Sequence, residues 1–422
     1  MTARPVSAFA EPLGIREPFP VLPRPALLIR VLGFSAATLS SLLAEEKPAT
    51  AALEAVVLPT VQYAHEDIWN HTPSGAPLAL AATDRIAPEQ RLDLLVIARR
   101  YQRDPEGRAR LTYRFTLHSP NGETTQSAPE LLLGDQIPAA EGALIFPREI
   151  VSFHTSLSDP DGEYQLVFEI RDHISGRTLE QRITLCVDDS NAPLPLPRDF
   201  NPSEFLSRYY TAPQPRFALA AVTAFSRPPA RIHKADSVGT ILGFYEQILA
   251  DNPWLIPQFT ARLIETSDAR ERRLLTLILA FAHPDDRSLG ELSVFQRQAL
   301  AVARREPLPT PSSQPRTGGQ LDVLWGRFFA SGRFAPILDL VSIAESYASS
   351  ATNVAHLKQS GKQPDNALAL EATLHEMAAW SLGSNAHQPL VRAYLSYLQA
   401  SDRSSATAKA VAQKALNWKP AK

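Results

Sequence analysis

Between about Val56 and Val187 the apolar positions of the chain alternate with polar ones. Leu92, Leu94, Val96 and Ala98 fall on one face of an extended segment, and Leu111, Tyr113, Phe115 and Leu117 on one face of the next, with Thr, Arg and His opposite them. That rhythm predicts half-buried strands. Asp104-Pro105-Glu106-Gly107 and Pro120-Asn121-Gly122 lie between such segments, and Gly and Asn tolerate the positive φ of tight hairpins. The clearest hairpin spans 161–187: Tyr164, Leu166, Phe168 and Ile170 point one way, the chain turns through Asp172 to Gly176, and Leu179, Ile183, Leu185 and Val187 return. About seven or eight such strands predict an antiparallel β-sandwich over 56–190.

The pattern then changes. Residues 191–236 hold Pro193, Pro195, Pro197, Pro202, Pro213, Pro215, Pro228 and Pro229, a density that disfavours a long helix and predicts a linker with short helices. From 237 to 418 the period becomes helical. Ile241, Phe244, Tyr245, Ile248 and Leu249 form one stripe, and Leu274, Leu275, Ile278, Leu279 and Phe281 another, with interruptions at Asn252-Pro253, His283-Pro284 and Pro307–Pro315. Further helices are predicted at Leu321–Ser331, Ala335–Ser349, Asn366–Leu382, Pro389–Ala400 and Ser404–Leu416. Asp365 is placed to cap the one carrying Leu370, Leu374, Met377 and Leu382; Gly383 suits the left-handed position after it, and Asn385 with Gln388 forms a capping pair for the next. Short helices joined by short turns point to a solenoid-like array.

Residues 1–45 stand apart. After Arg24 and Arg30 an apolar run from Val31 to Leu43, broken by Gly33 and small hydroxyl residues, closes in small residues before Glu45, Glu46 and Lys47. The run is too short for a bilayer core of about 30 Å, but basic residues, an apolar stretch and a small-residue end are what an export signal needs, with cleavage near Ala44. The expectation is a periplasmic or secreted protein with no stable transmembrane span in the mature chain. The alternative is a cytoplasmic protein in which this stretch is an ordinary helix.

Composition narrows the functions. With 422 residues the chain is long enough for more than one core, and 44% hydrophobic against 20% charged residues is the balance of a folded protein. The net charge of −2, with no extended basic run, argues against nucleic acid as a partner. One cysteine, Cys186, excludes both an intramolecular disulfide and a thiolate-based structural zinc site within one chain.

Two resemblances follow from particular residues. Gly162-Glu163-Tyr164 resembles the Gly-x-Tyr that opens the penultimate strand of immunoglobulin-like domains, and implies that fold without implying an activity. YYTAPQP at 209–215, GFYEQILADNPWLIPQF at 243–259, LDVLWGRFFASGRFAPI at 321–337 and AAWSLGSNAHQPLVRAYL at 378–395 resemble the motifs of a bacterial helical family with no settled activity. That likeness implies a helical fold and carries no site residues.

Chemistry is sparse. The nucleophile elbow, the phosphate-binding loop, the dinucleotide fingerprint and the zinc-protease helix motif are all missing from the sequence. His65 and His71, within HEDIWNH, are candidate transition-metal ligands; on a helix their spacing separates the rings, on a loop they can converge, and otherwise this is a surface loop anchored to the sandwich by Trp69. Asp188, Asp189 and Asn191 resemble the acidic junction of cadherin repeats and are candidate calcium ligands, although they supply only part of a shell of 6–8 oxygens. No other cofactor is expected. Ser381, Asn385 and His387 could serve nucleophilic chemistry, yet capping explains Asn385 at less cost. Trp325, Phe328 and Phe329, at helical spacing, are expected in a core rather than a pocket.

The reading that accommodates these features is a non-enzymatic binding or scaffolding protein of the bacterial envelope, with a protein or peptide partner. The alternative is a hydrolase or carbohydrate-active enzyme with its site at the junction of the two domains.

Overall fold

A computed structural model of the chain describes residues 29–32, 53–73, 76–127, 130–138, 143–227, 238–282, 289–305, 315 and 317–419. Most of the predicted export signal, His283-Pro284 and most of the proline-rich stretch at 307–315 lie outside them. The N-terminal half is built of sheets and the C-terminal half of helices. The chain divides into a β unit, holding the described residues up to Tyr63 together with Ser74–Asn191, and a helical unit, holding Ala64–Pro73 together with Ala192–Lys422. Among the described residues no helix is long and apolar enough to cross a membrane.

In the β unit the strands are β1 (Ile29–Leu32), β2 (Glu54–Thr60), β3 (Leu78–Ala81), β4 (Arg85–Ile86), β5 (Leu92–Arg99), β6 (Arg108–His118), β7 (Thr124–Gln126), β8 (Leu131–Pro138), β9 (Val151–Phe153), β10 (Gly162–Asp172) and β11 (Thr178–Val187). One sheet runs β4-β11-β10-β6-β7, with β8 also on β6; a second runs β2-β5-β9; β1 pairs with β3 in parallel. Apart from β1–β3 and the short β4–β11 pair, the ladders are antiparallel. The predicted hairpin forms in register, Leu166 opposite Ile183 and Ile170 opposite Leu179. The alternating residues do what the pattern requires: Tyr164, Leu166, Phe168 and Ile170 are buried with Leu111, Tyr113 and Leu117 of β6 and Leu92, Leu94, Val96 and Ala98 of β5, so both larger sheets feed one core. β5 departs from simple alternation, because Asp93, Leu95 and Ile97 on its other face are buried too.

The turns follow their chemistry. Gly107 and Gly122 adopt φ of 79° and 86°, and each amide donates back across its turn, to Asp104 and Ser119. In the β10–β11 turn the carboxylate of Asp172, 1% exposed, accepts from the amides of Gln102, Ile174 and Ser175 and from the Ser175 hydroxyl, which satisfies a charge that burial would otherwise penalise. At the start of β10 the Tyr164 hydroxyl donates to the Pro160 carbonyl at 2.6 Å.

The helical unit comprises α1 (His65–His71), α2 (Pro202–Arg208), α3 (Ala218–Ser226), α4 (Val238–Asp251), α5 (Ile256–Glu265), α6 (Ala269–Ala282), α7 (Val294–Arg305), α8 (Gly318–Ser331), α9 (Ala335–Ser346), α10 (Ala348–Gln359), α11 (Asn366–Asn385), α12 (Pro389–Ala400) and α13 (Ala406–Leu416). Both predicted stripes face inward: Ile241, Phe244, Tyr245, Ile248 and Leu249 of α4, and Leu275, Ile278, Leu279 and Phe281 of α6, are buried, while Leu274 of the second stripe is only half-buried. Trp325, Phe328 and Phe329 are core residues of α8. The most extensive helix pair is α4 with α8, and it closes on glycine: a Cβ on Gly243 would stand 2.2 Å from the Val323 carbonyl oxygen, and one on Gly326 2.1 Å from that of Thr240.

Several local expectations are corrected. The proline-rich stretch contributes Tyr209, Tyr210, Ala221, Val222 and Phe225 to the buried interior of the helical unit. The predicted helix from Ala335 breaks at Tyr347, and α10 follows. Asp365 caps α11 as expected, accepting from the Leu368 amide, but the helix runs on to Asn385 with Gly383 inside it against Trp418. A neighbouring side chain, and no left-handed turn, selects that glycine. Leu370 and Met377 of α11 are exposed, while Ala372, Leu374, Ala378 and Leu382 form its buried face.

Candidate binding groove

Helix α6 begins on Asp268, whose carboxylate accepts from the amides of Glu271 and Arg270 and is held below the ordinary aspartate range by those two bonds. One turn in, the side chain of Glu271 is 3% exposed and accepts from Arg262 Nε and Nη2 (2.8 and 2.9 Å), the Thr223 hydroxyl (2.6 Å) and the Thr266 hydroxyl (2.7 Å). Burial opposes its charge, but the bonds from Arg262, Thr223 and Thr266 outweigh it and keep the carboxyl below the ordinary glutamate range. These contacts tie α3, α5 and α6 together, leaving the outer face of α6 to Arg272, Arg273, Thr276 and Leu277.

Helix α7 starts with a reciprocal pair: the Ser293 amide donates to Gln296 Oε1 and the Gln296 amide to Ser293 Oγ. Leu300 and Ala303 face inward, and Gln296 Nε2 reaches the Leu263 carbonyl of α5. This orientation places Phe295 and Val302 outward, 84% and 53% exposed, with Ala299 between them. Seven residues separate the two large side chains, so they lie on one helical face about two turns apart.

Between the helices lies a groove of ≈ 550 Å³, with Leu277, Phe295, Ala299 and Val302 as its apolar part and Arg272 and Arg273 as its charged part. Helices α6 and α7 carry Arg270, Arg272, Arg273, Arg297, Arg304 and Arg305; Glu271 is engaged by Arg262, and Asp268 at the cap of α6 lies beside Arg270. Arg272 donates to the Thr266 carbonyl, and among the described residues neither Arg272 nor Arg273 has a carboxylate partner. The groove lining is therefore basic, in a chain whose net charge is −2.

The residues singled out from the sequence fall elsewhere. HEDIWNH is neither a loop nor part of the β unit; it is helix α1 of the helical unit, and its six-residue spacing turns the two imidazoles to different faces. His65 is buried. His71 stacks on Phe334 at 3.9 Å and meets Tyr397 edge-on at 4.9 Å, with Nδ1 3.0 Å from the Asp67 carbonyl oxygen and 3.6 Å from its carboxylate. The other Asp67 oxygen accepts from the Phe334 amide at 3.1 Å. Tyr394 beside them donates to the Gly332 carbonyl, and burial pushes its phenol well above the ordinary tyrosine range. Asp188 receives Arg85 Nη1 at 2.5 Å, Asn191 donates to Glu89, and Asp189 is exposed. Among the described residues no three His, Cys, Asp or Glu side chains form a metal-ligand group. Ser381 donates to the Ala378 carbonyl, Asn385 to that of Ser381, and a His387 nitrogen lies 2.7 Å from the Ser384 carbonyl, all local helix contacts.

The groove itself was missed from the sequence. Its one legible signal is Ala269-Arg-Glu-Arg-Arg-Leu-Leu, a short basic cluster in a region read for its apolar stripe; Phe295 and Val302 look like core until Leu300 and Ala303 are seen to occupy the inner face of α7.

No family model matches the chain, and neither does any curated protein. Among solved structures it is similar to one described as the structural analysis of a family 123 glycoside hydrolase from Clostridium perfringens, at 14% identity and a TM-score of 0.18. That similarity covers 37% of this chain and 30% of the other.

Proposed function

We propose that the protein is a non-enzymatic binding protein of the bacterial cell envelope whose helical unit holds a protein or peptide partner in the α6–α7 groove. The observation that carries this reading is the outward face of α7, where Phe295 and Val302 stay in water beside Arg272 and Arg273. A bare phenylalanine ring forfeits about 1.5–3 kcal/mol of burial that a partner would recover, and exposed apolar surface rimmed by polar groups marks interaction sites. The β unit has the character of an immunoglobulin-like sandwich: the Tyr164–Pro160 bond is the kind of corner that ties the start of a late strand to the chain before it. The apolar run after Arg30 supports export.

The test is capture from the native host with tagged full-length protein, wild type against Phe295→Ser with Val302→Ser. Both positions are largely solvent-exposed, so the variant keeps its melting temperature while losing the captured partner. Equal recovery by both proteins contradicts the reading.

A further inference from the structure

Two properties of the groove restrict what can occupy it, given that it is a binding site. Its apolar part is short, with Phe295 and Val302 seven residues apart on one helix, a span of about 10 Å. That length matches two turns of a partner helix presenting large apolar side chains at i, i+3 or i+4, and i+7. Its charged part has one sign: Arg272 and Arg273 line it, and among the described residues neither has a carboxylate partner. A basic or neutral partner leaves these guanidinium groups facing the interface without counter-charge. An acidic partner uses them, gaining association rate and register from complementary charge.

We propose that the occupant is an amphipathic helix of about two to three turns, with its apolar face on Phe295 and Val302 and its flanking Glu or Asp residues on Arg272 and Arg273. This rests on reading the groove as the binding site, and the test separates the two claims. Three fluorescein-labelled peptides of equal length and identical apolar positions, with flanking Glu, Lys or Gln, are titrated by anisotropy against the full-length protein. Phosphatidylglycerol vesicles and a single-stranded oligonucleotide serve as probes of the same charge and different class. The Glu peptide is expected to bind at least about tenfold more tightly than the Lys peptide, and to weaken from low to physiological salt. Arg273→Glu should reduce that preference at least severalfold while the melting temperature holds, and Phe295→Ser should weaken every peptide.

Equal binding of all three peptides, lost in Phe295→Ser but untouched by the charge reversal, overturns the acidic partner and leaves the groove as a site. Vesicle or oligonucleotide binding that depends on Phe295 and Arg273, with no Glu-peptide binding, overturns the helical partner in favour of that class. No probe responding to Phe295→Ser overturns both claims.

Discussion

Gly243→Ala tests the packing of the helical unit at its tightest point. In a free helix the change is favourable by about 1 kcal/mol, because alanine loses less backbone entropy on folding. In this protein the new methyl would lie 2.2 Å from the Val323 carbonyl oxygen and 2.9 Å from both Val323 C and Cα, where ordinary contact begins at 3.4 Å. Both obstacles are backbone, so no side-chain rotation relieves them and α4 and α8 must separate by roughly 1 Å. A gap of that size forfeits about a quarter to a half of the dispersion energy of each contact across it. The flanking residues are large and fully buried: Phe244 and Tyr245 on α4, Leu324 and Phe328 on α8. The net cost is about 2–4 kcal/mol after the propensity gain. For a unit of this size that corresponds to a fall of about 5–12 °C in melting temperature, read by far-UV circular dichroism of the full chain. Gly326→Ala should cost a similar amount, since its Cβ would meet Thr240 O at 2.1 Å and Phe244 N at 2.7 Å. The double variant should cost clearly less than the sum, because helices already parted for one methyl accommodate the other. A Gly243→Ala protein that melts at or above the wild-type temperature refutes this account of the crossing.

Glu271→Ala leaves Arg262, Thr223 and Thr266 without their shared acceptor and should cost about 3 kcal/mol, measured by urea unfolding. Because the Glu271 carboxyl sits below its ordinary value of 4.5, the stability it supplies is present above that pH and is lost as pH falls through the folded value. The acid side of the wild-type melting curve should therefore be steeper than that of Glu271→Gln. Tyr164→Phe removes the bond to Pro160 O and should lower the stability of the β unit by about 1 kcal/mol in the same assay, with no loss of folding. Asp67→Ala deprives the Phe334 amide of its acceptor; a cost of about 1.4 kcal/mol raises the open population of α1 tenfold, and cleavage by a protease within 64–73 should accelerate to match.

What the sequence discloses is local, and what it conceals is pairing. Period-two and period-3.6 apolar patterns located β10, β11, α4 and α6 because burial of a face is written into neighbouring residues. The cap at Asp365 was equally readable, since its acceptor and donor are three residues apart. Gly239, Gly243 and Gly326 were not, although Gly239 and Gly243 share a helix face: alone each reads as a helix weakener, and only α8 lying against α4 gives them a purpose. HEDIWNH stayed illegible for the same reason, because Phe334 and Tyr397, which hold His71, lie far along the chain. In α7 the amphipathic pattern is present, but apolar residues occupy both faces, so the sequence offers no way to tell Leu300 from Phe295.

The central claim is that the outward face of α7 is covered by a partner in the cell. Site-specific photocrosslinking measures this directly, with p-benzoylphenylalanine placed at position 295, at 302, and at 338 of α9, where Leu338 is also exposed, at 40%. Irradiation of living cells should yield a discrete heavier adduct from 295 and 302, reduced by Arg273→Glu, and none from 338. Adducts of equal intensity from all three positions, or none from 295 and 302, would contradict it.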